Sequence, residues 1–151
     1  MRFLTVAIIA FCVSANAMAT DYKVGSIAIN APWSRASPKG AQTAIGYMTI
    51  KNNGTTSDRL VGGSIEVADR FDLHAMTMEN DISKMRDLSG TIDFKPGASH
   101  AMFVGLKRPL SKGDRVKGTL IFEHAGTVQI EYDVQGIGAQ HGPQAIDHMQ
   151  H

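Results

Sequence analysis

Near the end of the chain, apolar and polar residues alternate strictly. In TVQIEYDVQ (127–135) every second residue is apolar: Val128, Ile130, Tyr132 and Val134. The residues between them are polar or acidic. Successive side chains of a β-strand point to opposite faces of its sheet, so this pattern predicts a strand with one buried face and one wet face.

Short apolar runs of the same kind continue through the chain. They predict strands at 23–30, 43–52, 58–68, 71–78, 84–88, 91–94, 100–106, 114–124 and 126–135. Turn-forming residues such as Asn52-Asn53-Gly54 and Pro96-Gly97 separate these runs, and no stretch has a sustained helical period. Many short strands at this spacing favour an all-β Greek-key barrel or sandwich. A length of 151 residues fits a single domain.

The first 19 residues have the pattern of a signal peptide. Arg2 supplies a positive start, residues 3–15 (FLTVAIIAFCVSA) are apolar, and Ala17 and Ala19 each end a small-x-small cleavage pattern. The apolar run is too short to span a membrane, and no other run in the sequence is a candidate. We therefore predict a signal peptide at 1–19, a periplasmic location and a β domain at 20–135.

The cysteine content excludes several kinds of site. Cys12 is the only Cys and lies within the predicted signal peptide, and the residues just before it do not resemble a lipoprotein signal. The mature chain therefore has no disulfide and no thiolate ligand, which excludes a blue-copper electron-transfer centre. The net charge is +1. This value gives no indication of a nucleic-acid partner or of binding to an anionic membrane surface.

His and Met are concentrated between residues 71 and 106. This stretch has two of the six His and four of the eight Met: His74, Met76, Met78, Met85, His100 and Met102. Imidazole and thioether groups without thiolates form a soft ligand set that suits copper, and Cu(I) in particular. Strand alternation places His74, Met76 and Met78 on one face of their segment, and His100 and Met102 on one face of theirs. A single Met is most often a core residue, but the whole set favours a metal site.

These residues resemble the signature of the PCuAC-type periplasmic copper chaperones, which is a His or Met, ten residues, a Met, a longer gap and His-x-Met. Ten residues separate His74 from Met85, and His100-x-Met102 matches the closing element. The gap of 14 residues from Met85 to His100 is shorter than in the family signature. Blocks such as APWSRASPKG and TAIGYMTIKNNG are also similar to the family, so the resemblance covers most of 24–135.

The resemblance implies a cupredoxin-like β-barrel that binds Cu(I). It implies four primary ligands, with two further Met in reserve: His74, Met85, His100 and Met102, then Met76 and Met78. It further implies delivery of copper to a respiratory haem–copper oxidase, through the binuclear CuA centre of its copper-bearing subunit, or transfer to another copper chaperone. A copper-sequestering tolerance protein without an oxidase acceptor is the alternative. The chain could act as a monomer or as a copper-bridged oligomer.

An enzymatic role is disfavoured by the motifs that the sequence lacks. It has no His-Glu-x-x-His, no Gly-x-Ser-x-Gly and, after signal removal, no Cys nucleophile. Met-rich coordination also lacks the acidity that a hydrolytic zinc site requires. We therefore predict a binding protein and not an enzyme.

The last 16 residues, 136–151, differ from the rest of the chain. They have no strand alternation, and they hold half of all the His together with one Met: His141, His148, Met149 and His151. Such a composition is typical of a flexible polar terminus, and His-rich tracts also bind metals. Imidazole ligands favour Cu(II), so we predict a flexible His/Met-rich tail that binds Cu(II) or adds a ligand to the main site.

Overall fold

The computed structural model describes residues 20–74 and 86–143. Ten strands form in this part of the chain: β1 (Asp21–Val24), β2 (Ile27–Arg35), β3 (Thr43–Asn52), β4 (Asp58–Ile65), β5 (Ala68–His74), β6 (Arg86–Leu88), β7 (Thr91–Phe94), β8 (His100–Leu106), β9 (Arg115–Phe122) and β10 (Gly126–Gln135). The all-β prediction is therefore confirmed. Several residues of the sequence-based predictions lie outside the described ranges: the signal peptide, Met76, Met78, Met85, His148, Met149 and His151.

The strands form one curled sheet. Its order is β5-β8-β3-β2-β10-β9-β4-β6, with β1 paired to β2 and β7 paired to β3. The pair of β2 with β10 is parallel, and the other pairs are antiparallel. β4 also lies against β5 from the other end of the order, so the sheet curls around its core. No helix in the described ranges has the length and apolar character needed to cross a membrane.

The inner faces of the strands form the core, and aromatic residues occupy its centre. Phe103 of β8 meets Tyr132 of β10 edge to face, with 5.1 Å between the ring centroids. Gly46 of β3 leaves the space for this pair, because a Cβ there would lie 2.5 Å from the Phe103 ring. The strictly alternating segment predicted from the sequence, β10, thus supplies the centre of the core.

Two predicted strands are each divided in the structure. The run 23–30 is a hairpin of β1 and the start of β2, because Gly25 adopts a φ of 55° and turns the chain. The run 58–68 likewise covers β4 and the first residue of β5. Apolar residues lie close to both turns, Val24 and Ile27 at the first and Ile65 and Val67 at the second, so the apolar runs conceal them.

Asp58 joins the start of β4 to the hairpin between β9 and β10. Its buried carboxylate accepts hydrogen bonds from the backbone N–H groups of His124 and Ala125, both at 2.9 Å, and of Arg59 at 2.7 Å. Burial alone would raise the pKa of Asp58, but the three N–H groups outweigh it and lower that pKa below its ordinary value. The ionised form therefore stabilises the fold.

We predict that Asp58→Asn lowers the free energy of unfolding by about 1–3 kcal/mol at neutral pH, because an amide replaces one of the two accepting oxygens with a donor. The pKa of Asp58 is lower in the folded state, so its contribution is present above the unfolded pKa and is lost as the pH falls through the folded pKa. Urea unfolding of the apo protein should therefore show a difference at about pH 7 that shrinks at about pH 2.5.

Asp87→Asn is the matched control. Asp87 pairs with Arg59 at 2.9 Å, but its side chain is 83% exposed, so its loss should have a small effect. Equal destabilisation by the two variants would contradict the role assigned to Asp58.

Candidate metal centre

The site is built on the outer face of β5 and β8. These strands are antiparallel neighbours in which His74 pairs with His100 and Asp72 pairs with Met102. Residues that pair directly across an antiparallel sheet share one face. Leu73, Ala101 and Phe103 are buried on the opposite face. The pairing thus brings His74, His100 and Met102 together on one surface, as the sequence predicted for each segment separately.

The two imidazoles lie side by side. Their ring centroids are 5.3 Å apart and their planes differ by 16°. Both side chains are half-buried. Imidazole nitrogens bind metals at about 2.0–2.1 Å, so this ring separation is on the scale that two His sharing one ion require.

A turn before β8 fixes the orientation of the His100 ring. The Nδ1 atom lies 3.0 Å from the carbonyl oxygen of Ala98. A carbonyl can only accept, so Nδ1 carries the proton and Nε2 of the neutral ring keeps its lone pair for a metal. Such a hydrogen bond to the second nitrogen is usual for metal-binding His. Sequence analysis did not identify Ala98, although the Pro96-Gly97 turn signal lies immediately before it.

The base of the site is rigid. Phe103 follows Met102 in β8. It is fully buried and packs against Tyr132 of β10. Phe71 of β5 lies 6.0 Å from Phe103, so both ligand-bearing strands are anchored by aromatic contacts on their inner side. The ligands therefore project from a packed surface and not from a loose loop.

The carboxylate on this face is already paired. Arg70 Nε donates to both oxygens of Asp72, at 3.1 and 2.9 Å, and the Asp72 side chain is only 19% exposed. Asp72 pairs with Met102 and lies two residues before His74, so its carboxylate is a hard oxygen donor beside the soft imidazole and thioether groups. The ion pair with Arg70 engages both of its oxygens, whereas the described imidazole and thioether groups beside it are soft donors.

The residues 20–74 and 86–143 contain no group of three or more His, Asp or Glu arranged to hold a metal ion. Within these ranges, further soft ligands for a site at His74 and His100 come from thioether sulfur. Met102 supplies one. Met85 precedes β6, and it lies with Met76 and Met78 outside the described ranges.

His141 is the tail His within the described residues. It is exposed and borders a cleft with Trp33, Met48, Phe94 and Pro96. The first residues of the tail, 136–143, thus lie against the domain. The other tail ligands, His148, Met149 and His151, are outside the described part of the chain.

A larger cleft than the one beside His141 lies elsewhere. It has a volume of about 710 Å³ and is formed by β4, β9 and β10, with Ser64, Thr119 and Gln129 in its wall. No His or Met lines it. A soft metal site needs imidazole or thioether donors, so the β5–β8 face, and not this cleft, is the candidate metal centre.

Comparisons of the chain with known proteins identify its family. The model of the LpqE-like family, described as "Putative lipoprotein LpqE-like", matches residues 27–134. A relative from Leifsonia xyli subsp. xyli, named "Putative lipoprotein Lxx21020", is 27% identical over 129 residues, which are 80% of this chain and 76% of the relative.

Solved structures with the same fold include copper proteins. The apo PCuAC domain of PmoF2 is 30% identical, with a TM-score of 0.75 over 82% of this chain and 100% of that domain. The copper-bound PCuAC domain from PmoF2 is also 30% identical, with a TM-score of 0.70 over 78% and 98%. CuI-DR1885 from Deinococcus radiodurans, at 24% identity and a TM-score of 0.62 over 81% and 85%, shares the fold. The predicted cupredoxin-like fold is confirmed, and the chain belongs to the LpqE-like family and carries a PCuAC-type domain.

Proposed function

We propose that this protein is an extracytoplasmic copper chaperone. It binds Cu(I) through His74, His100 and Met102, with Met85 as a fourth ligand, and passes the ion to another protein. Its role is stoichiometric binding and transfer, without catalysis. The finer part of the proposal is that the acceptor is the copper-bearing subunit of a respiratory haem–copper oxidase, at its binuclear CuA centre.

One observation carries the proposal: the direct pairing of His74 with His100, with Met102 two residues further along the same face. It places two imidazoles and one thioether on adjacent strands, which is a soft donor set for Cu(I). The PmoF2 domain solved with copper bound, which is 30% identical to this chain, supports copper as the metal.

The ligand chemistry fits transfer between proteins. Thioethers are neutral and bind without losing a proton, and neutral imidazoles need only a free nitrogen. Such ligands can be replaced one at a time by those of an acceptor. The half-buried position of all three described ligands leaves them open to an approaching protein from the outer face of the sheet.

The proposed location rests on two observations. Residues 1–19 have a signal-peptide pattern, and the matching family is described as lipoproteins. A mature chain without Cys also fits an oxidising compartment, where free thiols are lost to oxidation. We therefore place the protein in the periplasm.

The tail supplies the second part of the proposal. His141, His148 and His151, with Met149, offer mainly imidazole nitrogen, which suits Cu(II). We propose that this segment binds Cu(II) while the β5–β8 site binds Cu(I).

We predict that the double variant His100→Ala/Met102→Ala loses the tight Cu(I) site, with an affinity at least about 100-fold lower. The loss of a group that only supports a ligand already costs about 10–100-fold, and here two ligands are removed. Competition with a coloured Cu(I) chelator measures the effect on the full chain.

His124→Ala is the control, because His124 is exposed at the hairpin between β9 and β10, away from the ligands. Full Cu(I) affinity in the double variant would mean that the ligands lie elsewhere, with Met76, Met78 and the tail as the next residues to test.

A second prediction concerns the tail. Replacing His141, His148 and His151 with Ala should abolish binding of one Cu(II) equivalent and leave Cu(I) affinity unchanged, because the two ions use different donor sets. Electron paramagnetic resonance of the Cu(II)-loaded protein measures the bound Cu(II). An unchanged spectrum would place Cu(II) at the β5–β8 site.

A transfer experiment separates delivery from storage. The Cu(I)-loaded chain is mixed with the apo copper-bearing domain of the host oxidase subunit, and the copper in each protein is measured after separation. We expect copper to move to the oxidase domain. If copper remains on the chaperone, although a small chelator removes it, the sequestering role is correct and the oxidase acceptor is wrong.

A further inference from the structure

Trp33 and Tyr47 are buried but do not belong to the main core. Their exposed fractions are 6% and 2%, yet neither is a member of the core cluster. They pack on each other with ring centroids 4.6 Å apart, and the Arg35 guanidinium lies 5.6 Å from the centre of the Tyr47 ring. We call these three residues the Trp–Tyr–Arg cluster. Trp, Tyr and Arg are the residue types that dominate binding energy at protein interfaces.

The cluster lies on the same face as the copper ligands. Trp33 pairs with Tyr47 across β2 and β3. In the next pair of strands, β3 and β8, Gly46 pairs with Ala101. Tyr47 therefore lies opposite His100 in the same antiparallel register. Neighbouring strands are about 4.8 Å apart, so Trp33, two strands away, is about 10 Å from His100. The rings of His74, His100, Tyr47 and Trp33 therefore form one row across four strands.

A bulge in β2 turns Trp33 to this face. The register shifts between Asn30 and Trp33, and Ala31 adopts a φ of 47°, which is rare for a residue with a side chain. Without the extra residue, alternation from the buried Ile29 would direct Trp33 into the core. Ser34 takes that place, fully buried, and its hydroxyl donates to the Ile45 carbonyl at 2.7 Å.

A strap formed by residues 136–143 covers the cluster. Arg35 Nε donates to the carbonyl of Ala139 at 2.6 Å. Gly142 lies flat on the indole, where a Cβ would be 2.7 Å from Trp33 Cδ1. The cover therefore consists of one hydrogen bond and a residue without a side chain, and the neighbouring Ile137 is 63% exposed.

The position of the cluster places it within reach of any copper acceptor. A specific protein interface covers about 800 Å² on each partner, which corresponds to a disc of about 16 Å radius. A disc of this size centred on the His74–His100 pair includes Trp33. A protein that takes copper directly from these ligands must therefore contact either the cluster or the strap above it.

The charge of the cluster indicates the chemistry of that partner. Within residues 20–74 and 86–143, Arg35 has no carboxylate at ion-pair distance, and Lys95 borders the same cleft as Trp33. A partner with acidic groups around its metal site would pair with this charge, and such complementarity speeds association.

We propose that the Trp–Tyr–Arg cluster is the docking anchor for an acidic copper-accepting protein, and that the strap covers the anchor until the partner displaces it. This inference rests on the proposed transfer function. In the free protein the strap keeps the aromatic surface from water, and in the complex Arg35 exchanges the Ala139 carbonyl for a carboxylate of the acceptor.

The first test releases the strap. Gly142→Val places a branched side chain against the indole, whereas Gly138→Val is the matched control, because a Cβ at 138 meets no atom within 4 Å. Trp33 is the only Trp, so its fluorescence reports the release by a shift to longer wavelength in Gly142→Val alone. We expect Cu(I) transfer to the apo oxidase domain to become about fivefold faster, the factor that corresponds to one net hydrogen bond.

The second test removes the anchor. Arg35→Gln loses both the hydrogen bond to the strap and the positive charge. If Arg35 only held the strap in place, this variant would release the strap and accelerate copper transfer. If Arg35 anchors the acceptor, transfer instead slows by at least about tenfold and loses most of its dependence on salt. Transfer to a small Cu(I) chelator, which needs no docking, should be equal in all variants.

The outcomes are distinguishable. Unchanged transfer in Gly142→Val with a released indole, or faster transfer in Arg35→Gln, would overturn the docking inference and leave the proposed function intact. An unshifted indole in Gly142→Val would overturn the strap. If the wild-type chain gives copper to the chelator but not to the oxidase domain, the delivery proposal fails and the anchor fails with it.

Discussion

The register of β5 against β8 determines whether the proposed metal ligands can meet on one face. His74 lies opposite His100 because Leu73, Ala101 and Phe103 are held on the inner face. Side chains alternate with a period of two, so a slip of one residue would turn every ligand inward. The Phe103 contact with Tyr132, which requires Gly46, holds the inner face of β8, and the Phe71–Phe103 contact holds β5 against it. The core therefore determines the ligand geometry, although no core atom belongs to the site.

Much of this arrangement could be predicted from period-two patterns. Alternation assigned β3, β7, β8 and β10 correctly and placed His100 and Met102 on one face. It could not predict that β5 pairs with β8, because pairing between strands distant in sequence depends on the whole sheet. The gap between Met85 and His100 contains β7, which was predicted as a strand, but its pairing with β3 was not predicted. Residue spacing gives the length of such a segment and not its partner strand.

The sequence was least informative where backbone geometry overrides side-chain pattern. Strict alternation from Ile29 would place Trp33 in the core, whereas the bulge at Ala31 directs it to the outer face under the strap. Arg35 donates to the carbonyl of Ala139, an acceptor that no side-chain pattern identifies. A carbonyl acceptor and the missing side chain of Gly142 leave no signal in a hydrophobicity pattern, so residues 136–143 read only as a polar terminus.

The softness of the proposed site depends on how the fold treats the neighbouring carboxylate. Within residues 20–74 and 86–143, Asp72 is the hard donor that pairs with Met102, and Arg70 engages both of its oxygens. If Asp72 were free, two imidazoles and a carboxylate would favour Cu(II) or Zn²⁺, and Met102 would compete poorly. With the carboxylate neutralised, thioether sulfur becomes the available third donor. The Arg70–Asp72 ion pair is largely a surface contact and contributes little to stability, so its main consequence is for the choice of metal.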